Sequence, residues 1–253
     1  MHLKNNKKYY QTLFLILFFL LIAYSLQLNA TIRFVSKTGL SIPPYISWET
    51  AADSIMSAIN ISVFGDTIYV AKGVYIEKVT MIHGLTLIGA GMDSCIIDTR
   101  TIATPPGYYA VIMKDECSIE GFHIVVLNNQ GGTFGIISTP GGSDSLYFQG
   151  NIFNNKISKA GNGIVTDNTF LTIKNNVFKD VRYGIDVGAL DTSVLDSIYN
   201  NYLFQIIYEG IGMDLAARAI IHNNFIYMVT NIHLGITLPS VGVSEVFNNL
   251  IIS

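Results

Sequence analysis

The chain has 253 residues, half of them apolar and 13% charged, with a formal net charge of −3. That composition excludes a disordered chain and supplies enough hydrophobe for one large core. Its Lys and Arg, 15 in all, are not clustered, so a nucleic-acid partner, which needs concentrated positive charge, is not expected.

The first feature in chain order is Leu13 to Leu28, 16 residues of nearly unbroken hydrophobe that follow Lys4, Lys7 and Lys8 and run into Leu28-Asn29-Ala30. A positive start, an apolar stretch and a small residue at Ala30 read as a signal peptide over residues 1–30, although Leu28 is larger than cleavage sites prefer. An uncleaved anchor is the alternative, but the run falls short of the ~20 residues a spanning helix needs. Removing residues 1–30 takes three lysines and no acid, which moves the formal charge from −3 to −6. The mature protein is expected to be secreted or displayed at the cell surface, with no membrane contact after the leader is removed.

Residues 48–60 read as one amphipathic helix, with Ala51, Ile55, Ala58 and Ile59 on a shared face. Such a helix suits the end of a solenoid, which otherwise leaves an apolar core and strand edges bare. After it come an alternating strand from Gly65, the turn Gly73-Val-Tyr-Ile-Glu77, the strand Thr86-Leu-Ile-Gly-Ala-Gly91 and the strand Cys95-Ile-Ile-Asp98. Gly89-Ala-Gly91 lacks the Lys-Ser/Thr and following helix of a phosphate loop and reads as a turn. This order of elements, over about residues 31–127, resembles the opening coils of pectinesterases and of bacterial right-handed β-helix proteins. The resemblance implies the pectin lyase-like fold and is not specific for activity, because the matched residues are strand and turn positions.

Downstream the chain repeats. The pairs ending at Asn151, Asn176, Asn201, Asn224 and Asn249 are spaced by 25, 25, 23 and 25 residues, and Asn128-Asn129 is taken as an earlier member. A second column runs in phase: Gly135-Ile136, Gly163-Ile164, Gly184-Ile185, Gly210-Ile211 and Gly235-Ile236. Between them lie short runs of Ile, Val, Phe and Tyr without helical period. Coils of ~22 to 25 residues, each with three strands stacked in register, satisfy this pattern better than a propeller or a leucine-rich repeat. The expected fold is all-β: a right-handed parallel β-helix over residues 31–253 with a short capping helix, first coils at 31–127 and regular repeats at 128–253. No cap follows Asn248-Asn249 before Ser253, so the solenoid is expected to be C-terminally incomplete.

Catalytic motifs of the resembled enzymes do not carry over. Where pectinesterases have Asp-Phe-Ile-Phe-Gly-Asn, this chain has Leu146-Tyr-Phe-Gln-Gly-Asn151, with Asp144 out of register. The polygalacturonase and pectate lyase motifs are absent. Residues at equal offsets from each Gly-Ile marker should stack about 4.8 Å apart on one face. If the marker Ile points inward, offsets −2, +2 and +4 from Gly point outward. They hold Arg182, Tyr208 and His233, then Asp186 and Thr237, then Asp167 and Asp214.

Asp167, Asp186, Asp214 and Arg182 are therefore the candidate catalytic residues, and Tyr208 and His233 the candidate ligand contacts. A polar and aromatic strip of this kind suits a polysaccharide partner. A carbohydrate-binding or structural and adhesive role leads, and a polysaccharide lyase or glycoside hydrolase is the alternative. No cofactor is implied, and Ca²⁺ is the one ion the carboxylates could engage. His83, His123 and His222 lack metal-ligand spacing, so no metal site is read. Cys95 and Cys117, with Ile97 and Ile119 at equivalent offsets, are expected on adjacent coils, as a disulfide or as two buried thiols.

Overall fold

The computed structural model describes residues 10–18, 30–102, 108–127, 132–138, 148–167, 169–189, 193, 195–229, 234–239 and 243–253. Residues 1–30 and Thr31–Ser253 form separate units. Most of the expected leader lies outside the described residues. Residues 10–18 are helical, and no described helix is long and apolar enough to cross a membrane.

From Thr67 onward the strands take three directions in turn, and each pairs in parallel with its counterpart one coil later. The result is a nine-stranded sheet (sheet I), an eight-stranded sheet (sheet II) and a seven-stranded sheet (sheet III), visited in the order I, II, III. The Gly-Ile column holds register across sheet III: Ile136, Ile164, Ile185, Ile211 and Ile236 are successive partners. The first four are fully buried, each burial favouring the fold by roughly 1.5–3 kcal/mol.

The glycines beside them answer to close approach between coils. A Cβ on Gly135 would lie 2.4 Å from the Gly163 carbonyl oxygen, and one on Gly184 would lie 2.4 Å from that of Gly210. From Gly135 onward adjacent coils thus touch backbone to backbone at this column, where an added Cβ would clash with the next coil.

The asparagine column is a buried ladder between sheets I and II. The N–H groups of Asn155, Asn176, Asn201 and Asn224 each donate to Oδ1 of the next member, ending at Asn249, over 2.9–3.0 Å. Each Nδ2 also donates to a carbonyl of the preceding coil, as Asn201 does to Ile173 at 2.9 Å. The residue before each member takes the left-handed conformation, φ 55–57° from Asn154 to Asn248, where asparagine is tolerated and most side chains are strained.

One expected member of this column is wrong. Asn151 lies inside the sheet I strand Phe148–Phe153, opposite Ser118 and Thr172, and Asn155 takes the ladder position. The 25-residue spacing from Asn151 to Asn176 misled because the true step, Asn155 to Asn176, is 21 residues. Before Asn155 the ladder position belongs to Phe122, whose N–H donates to Asn155 Oδ1 at 3.0 Å, with Gly121 in the left-handed slot at φ 78°. Asn128-Asn129 lies outside the described residues.

The capping helix is also shorter than the periodicity implies. It spans Ile55–Ile59, with Ser54 as N-cap. Ala51 and Ala52 are buried, but Ala52 bridges Val35 of the first strand, Ile32–Val35. Pairing with that strand edge satisfies backbone groups that a longer helix would leave on the solenoid end. Glu77, the acid of the Gly-x-Tyr-x-Glu turn, completes the cap, since its two carboxylate oxygens accept from the N–H groups of Ile55 and Met56, both at 2.9 Å. A carboxylate against helix N–H groups is the favoured electrostatic arrangement.

The cysteines do not stack. Cys95 begins a sheet II strand and pairs with Gly73, whereas Cys117 begins a sheet I strand and pairs with Gly150. Ile97 and Ile119 likewise meet different partners, Ile124 and Ile152. Both thiols are free and buried. Burial pushes the Cys95 thiol up to about 12 and raises that of Cys117. The 22 residues from Cys95 to Cys117 carry the chain from sheet II through sheet III only as far as sheet I, so equal spacing did not mean equal position.

Candidate functional site

The outer face of sheet III is built from the strands Asn162–Asp167, Tyr183–Ala189 and Glu209–Leu215. Gly184 and Ile185 are both buried, as are Gly135-Ile136, Gly163-Ile164 and Gly210-Ile211, so the in-out alternation carries a double inward step at these four markers. The residue at −1 from Gly therefore points outward on the strand, and the one at −2 lies in the turn before it. Three outward columns follow: Asn162, Tyr183 and Glu209; Val165, Asp186 and Gly212; Asp167, Gly188 and Asp214.

Asp186 is the centre of this face. Its Oδ2 accepts from Asn162 Nδ2 at 3.2 Å. Its neighbour one coil on is Gly212, where a Cβ would lie 2.7 Å from Glu209 Oε2. The Glu209 carboxylate thus occupies the space that a side chain at position 212 would fill. Burial first, then the negative charges of Asp214 and Glu209, push the Asp186 carboxyl up to about 6, against the Asn162 hydrogen bond, which favours the charged form. A carboxyl whose pKa is raised to about 6 keeps its proton to higher pH than an ordinary aspartate and can donate a hydrogen bond or a proton over that range.

The remaining candidates divide. Asp214 joins the Asp186 environment. Asp167 stands on the same column as Asp214 but two strands away, across Gly188, a separation of roughly 9–10 Å. Arg182 stacks on the Tyr208 ring, its Cζ 4.5 Å from the centroid, with its buried Nε lacking a hydrogen-bond partner. Tyr208 also stacks on Tyr183, centroids 5.7 Å apart and 14° between planes. Tyr208 is thus packed by protein on its side toward the preceding coil. His233 lies outside the described residues, as do Asp144, Leu146 and Tyr147. Glu209, Tyr183 and Asn162 were missed in the sequence because strict alternation assigned position −1 to the inside.

Each of the three histidines read as lacking metal-ligand spacing has a side-chain neighbour. His123 contacts Ser158 Oγ through Nε2 at 2.9 Å, and burial pulls its pKa down to about 4. His222 lies between Tyr199 and Phe247, 4.9 Å from each and parallel to both. His83 stands 3.5 Å from Glu116 and 3.9 Å from Asp115.

No protein-family model matches the sequence, and no curated protein matches it. Among solved structures, the chain is similar to a pectin methylesterase from Erwinia chrysanthemi, at 14% identity and a TM-score of 0.52, over 80% of this chain and 68% of that one. It also matches a lacto-N-biosidase from Eubacterium ramulus at 9% identity and a TM-score of 0.43, covering 98% of this chain and 72% of that one. A pectin methylesterase in complex with a hexasaccharide matches at 17% identity and a TM-score of 0.38, covering 88% of this chain and 66% of that one. At these identities the likeness concerns fold.

Proposed function

We propose that this chain, which has the right-handed parallel β-helix fold of the pectin lyase-like superfamily, is an exported protein that binds a polysaccharide on the outer face of sheet III. The observation that carries the reading is the Asp186 carboxyl, raised to about 6 beside Glu209 and Asp214 and within hydrogen-bond reach of Asn162. Carboxyl, carboxylate and amide groups offer donors and acceptors to sugar hydroxyls, and the coil repeat spaces them along an axis that an extended chain can follow. Tyr208, with Arg182 and Tyr183 packed on it, supplies a ring edge and hydroxyl on this surface. The Erwinia protein of similar fold is, by its name, active on a polysaccharide. Export is supported by the leader-like residues 1–30.

A second reading has its own observation. A carboxyl of raised pKa, Asp186, next to further carboxyl groups is the kind of pairing that glycoside hydrolysis uses for acid and base or nucleophile. One experiment separates the two: incubation of the chain with a panel of acidic and neutral polysaccharides, with and without Ca²⁺, scoring retention and release of reducing ends or unsaturated products. Retention without turnover, weakened in Asp186→Ala and Glu209→Gln, supports binding. Turnover abolished by Asp186→Ala moves the assignment to the enzyme. Neither retention nor turnover from folded protein leaves a scaffold and refutes both.

A further inference from the structure

The corner between sheets III and I carries a side-chain group that the saccharide face does not use. His83 shortly precedes the sheet I strand Thr86–Gly89, and Asp115 and Glu116 directly precede Cys117–Glu120 one coil later. Backbone bonds tie successive corners together, Gly84 N–H to the Asp115 carbonyl at 2.9 Å and Glu116 N–H to the Gln149 carbonyl at 2.7 Å. His83 Nε2 lies 3.9 Å from Asp115 Oδ2 and 3.5 Å from Glu116 Oε1. One donor atom from each of the three residues falls within 4.8 Å of the other two.

Two of the three donors are held in place. Asp115 Oδ1 accepts from the N–H groups of Glu116 at 2.9 Å and Gln149 at 2.7 Å, which turns Oδ2 toward His83. The His83 ring stands edge-on to Phe64, centroids 5.0 Å apart at 72°. Phe64 reaches it because Gly84, at φ 72°, has no side chain; a Cβ there would lie 2.3 Å from the Phe64 ring.

We propose that His83, Asp115 and Glu116 bind a divalent transition-metal cation of the Zn²⁺ class, through His83 Nε2, Asp115 Oδ2 and Glu116 Oε1. Ligands of a tetrahedral Zn²⁺ at ~2.1 Å stand ~3.4 Å from one another, so the two imidazole distances need to close by only tenths of an ångström. An imidazole nitrogen in the set favours a transition metal over Ca²⁺, which takes oxygen ligands. The His83 and Glu116 side chains are 56% and 51% exposed, so solvent completes the coordination. Glu116 also lines a polar hollow of about 390 Å³ with Gln149, Gly150, Asn151, Phe170 and Thr172, and the ion would sit beside it.

The test uses the full chain, stripped with EDTA and dialysed. It is titrated calorimetrically with ZnCl₂, and CoCl₂ addition is followed by visible absorption. The expected result is one equivalent of Zn²⁺ bound, a Co²⁺ ligand-field band that Zn²⁺ abolishes, and affinity lowered at least ~10-fold in His83→Ala and in Glu116→Gln. Circular dichroism identifies which variants fold like the parent, and either folded variant decides the question. No Zn²⁺ binding by the folded parent, undiminished binding by a folded variant, or displacement of Zn²⁺ by equimolar Ca²⁺ overturns the proposal.

Discussion

Replacing Asp196 by Asn should change how the stability of this solenoid depends on pH. Asp196 opens a sheet I strand with its carboxyl inside the coil, 1% exposed. It accepts from Leu171 N–H at 2.7 Å and from the hydroxyls of Thr169 and Thr166. Burial raises its pKa from 3.8 to about 7, against those hydrogen bonds. The folded value lies above the unfolded one, so the stabilising contribution is complete below about pH 3.8 and is lost as pH rises through about 7. The full loss is on the order of 4 kcal/mol, more than half of which falls between pH 5 and pH 8. An asparagine never acquires the charge and keeps an oxygen for Leu171 N–H. Guanidinium unfolding followed by circular dichroism at pH 5, 6, 7 and 8 should show the parent losing roughly 2–3 kcal/mol more than Asp196→Asn across that range. Parallel profiles for the two proteins would refute the assignment of a neutral buried carboxyl.

Asn201→Ala removes the acceptor of Asn176 N–H and the donor to the Ile173 carbonyl, leaving both unpaired inside. It should cost about 2–4 kcal/mol in chemical denaturation, and a loss below ~1 kcal/mol would mean the ladder contributes little. Gly184→Ala places a Cβ 2.4 Å from the Gly210 carbonyl oxygen and should cost ~1–3 kcal/mol or more, whereas at Gly188 the nearest atom is 3.4 Å away and alanine should be tolerated. Similar melting temperatures for the two glycine variants would contradict the close approach of coils. His123 has its pKa lowered by burial to about 4, so its contribution is complete above about pH 6.5 and is lost as pH falls toward 4. His123→Phe should flatten the acid side of the stability profile, read by the same denaturation series.

Much of the architecture was legible because a solenoid repeats its constraints. Successive coils come backbone against backbone at the glycine column of sheet III from Gly135 to Gly235, so Gly135, Gly163, Gly184, Gly210 and Gly235 recur in the sequence. The ladder asparagines recur because each satisfies the N–H of the member before it and a carbonyl of the preceding coil. Errors came where spacing alone was trusted. Asn151 and the cysteine pair matched in number of residues but not in position on the coil, since segment lengths between sheets vary. Helical period over residues 48–60 was real, yet strand pairing through Ala52 outweighed it. Long-range side-chain groupings such as His83 with Asp115 had no repeated marker at all.

The same logic says where function is to be sought in such a fold. The outward column that contains Asp186 runs Ile112, Ile137, Val165, Asp186 and Gly212 in consecutive coils. An apolar column is what sheet propensity supplies by default, because β-branched residues fit a pleated, half-buried surface. An aspartate followed by a glycine breaks it at two coils in succession. The aspartate is a poor strand former, and the glycine opens the space into which Glu209 swings. Both substitutions weaken the strand, and their joint result is a carboxyl pushed up to about 6 by burial and like charge. Strand propensity does not account for this arrangement, which is why the proposed saccharide face is centred on Asp186 and its neighbours rather than on the apolar part of the column.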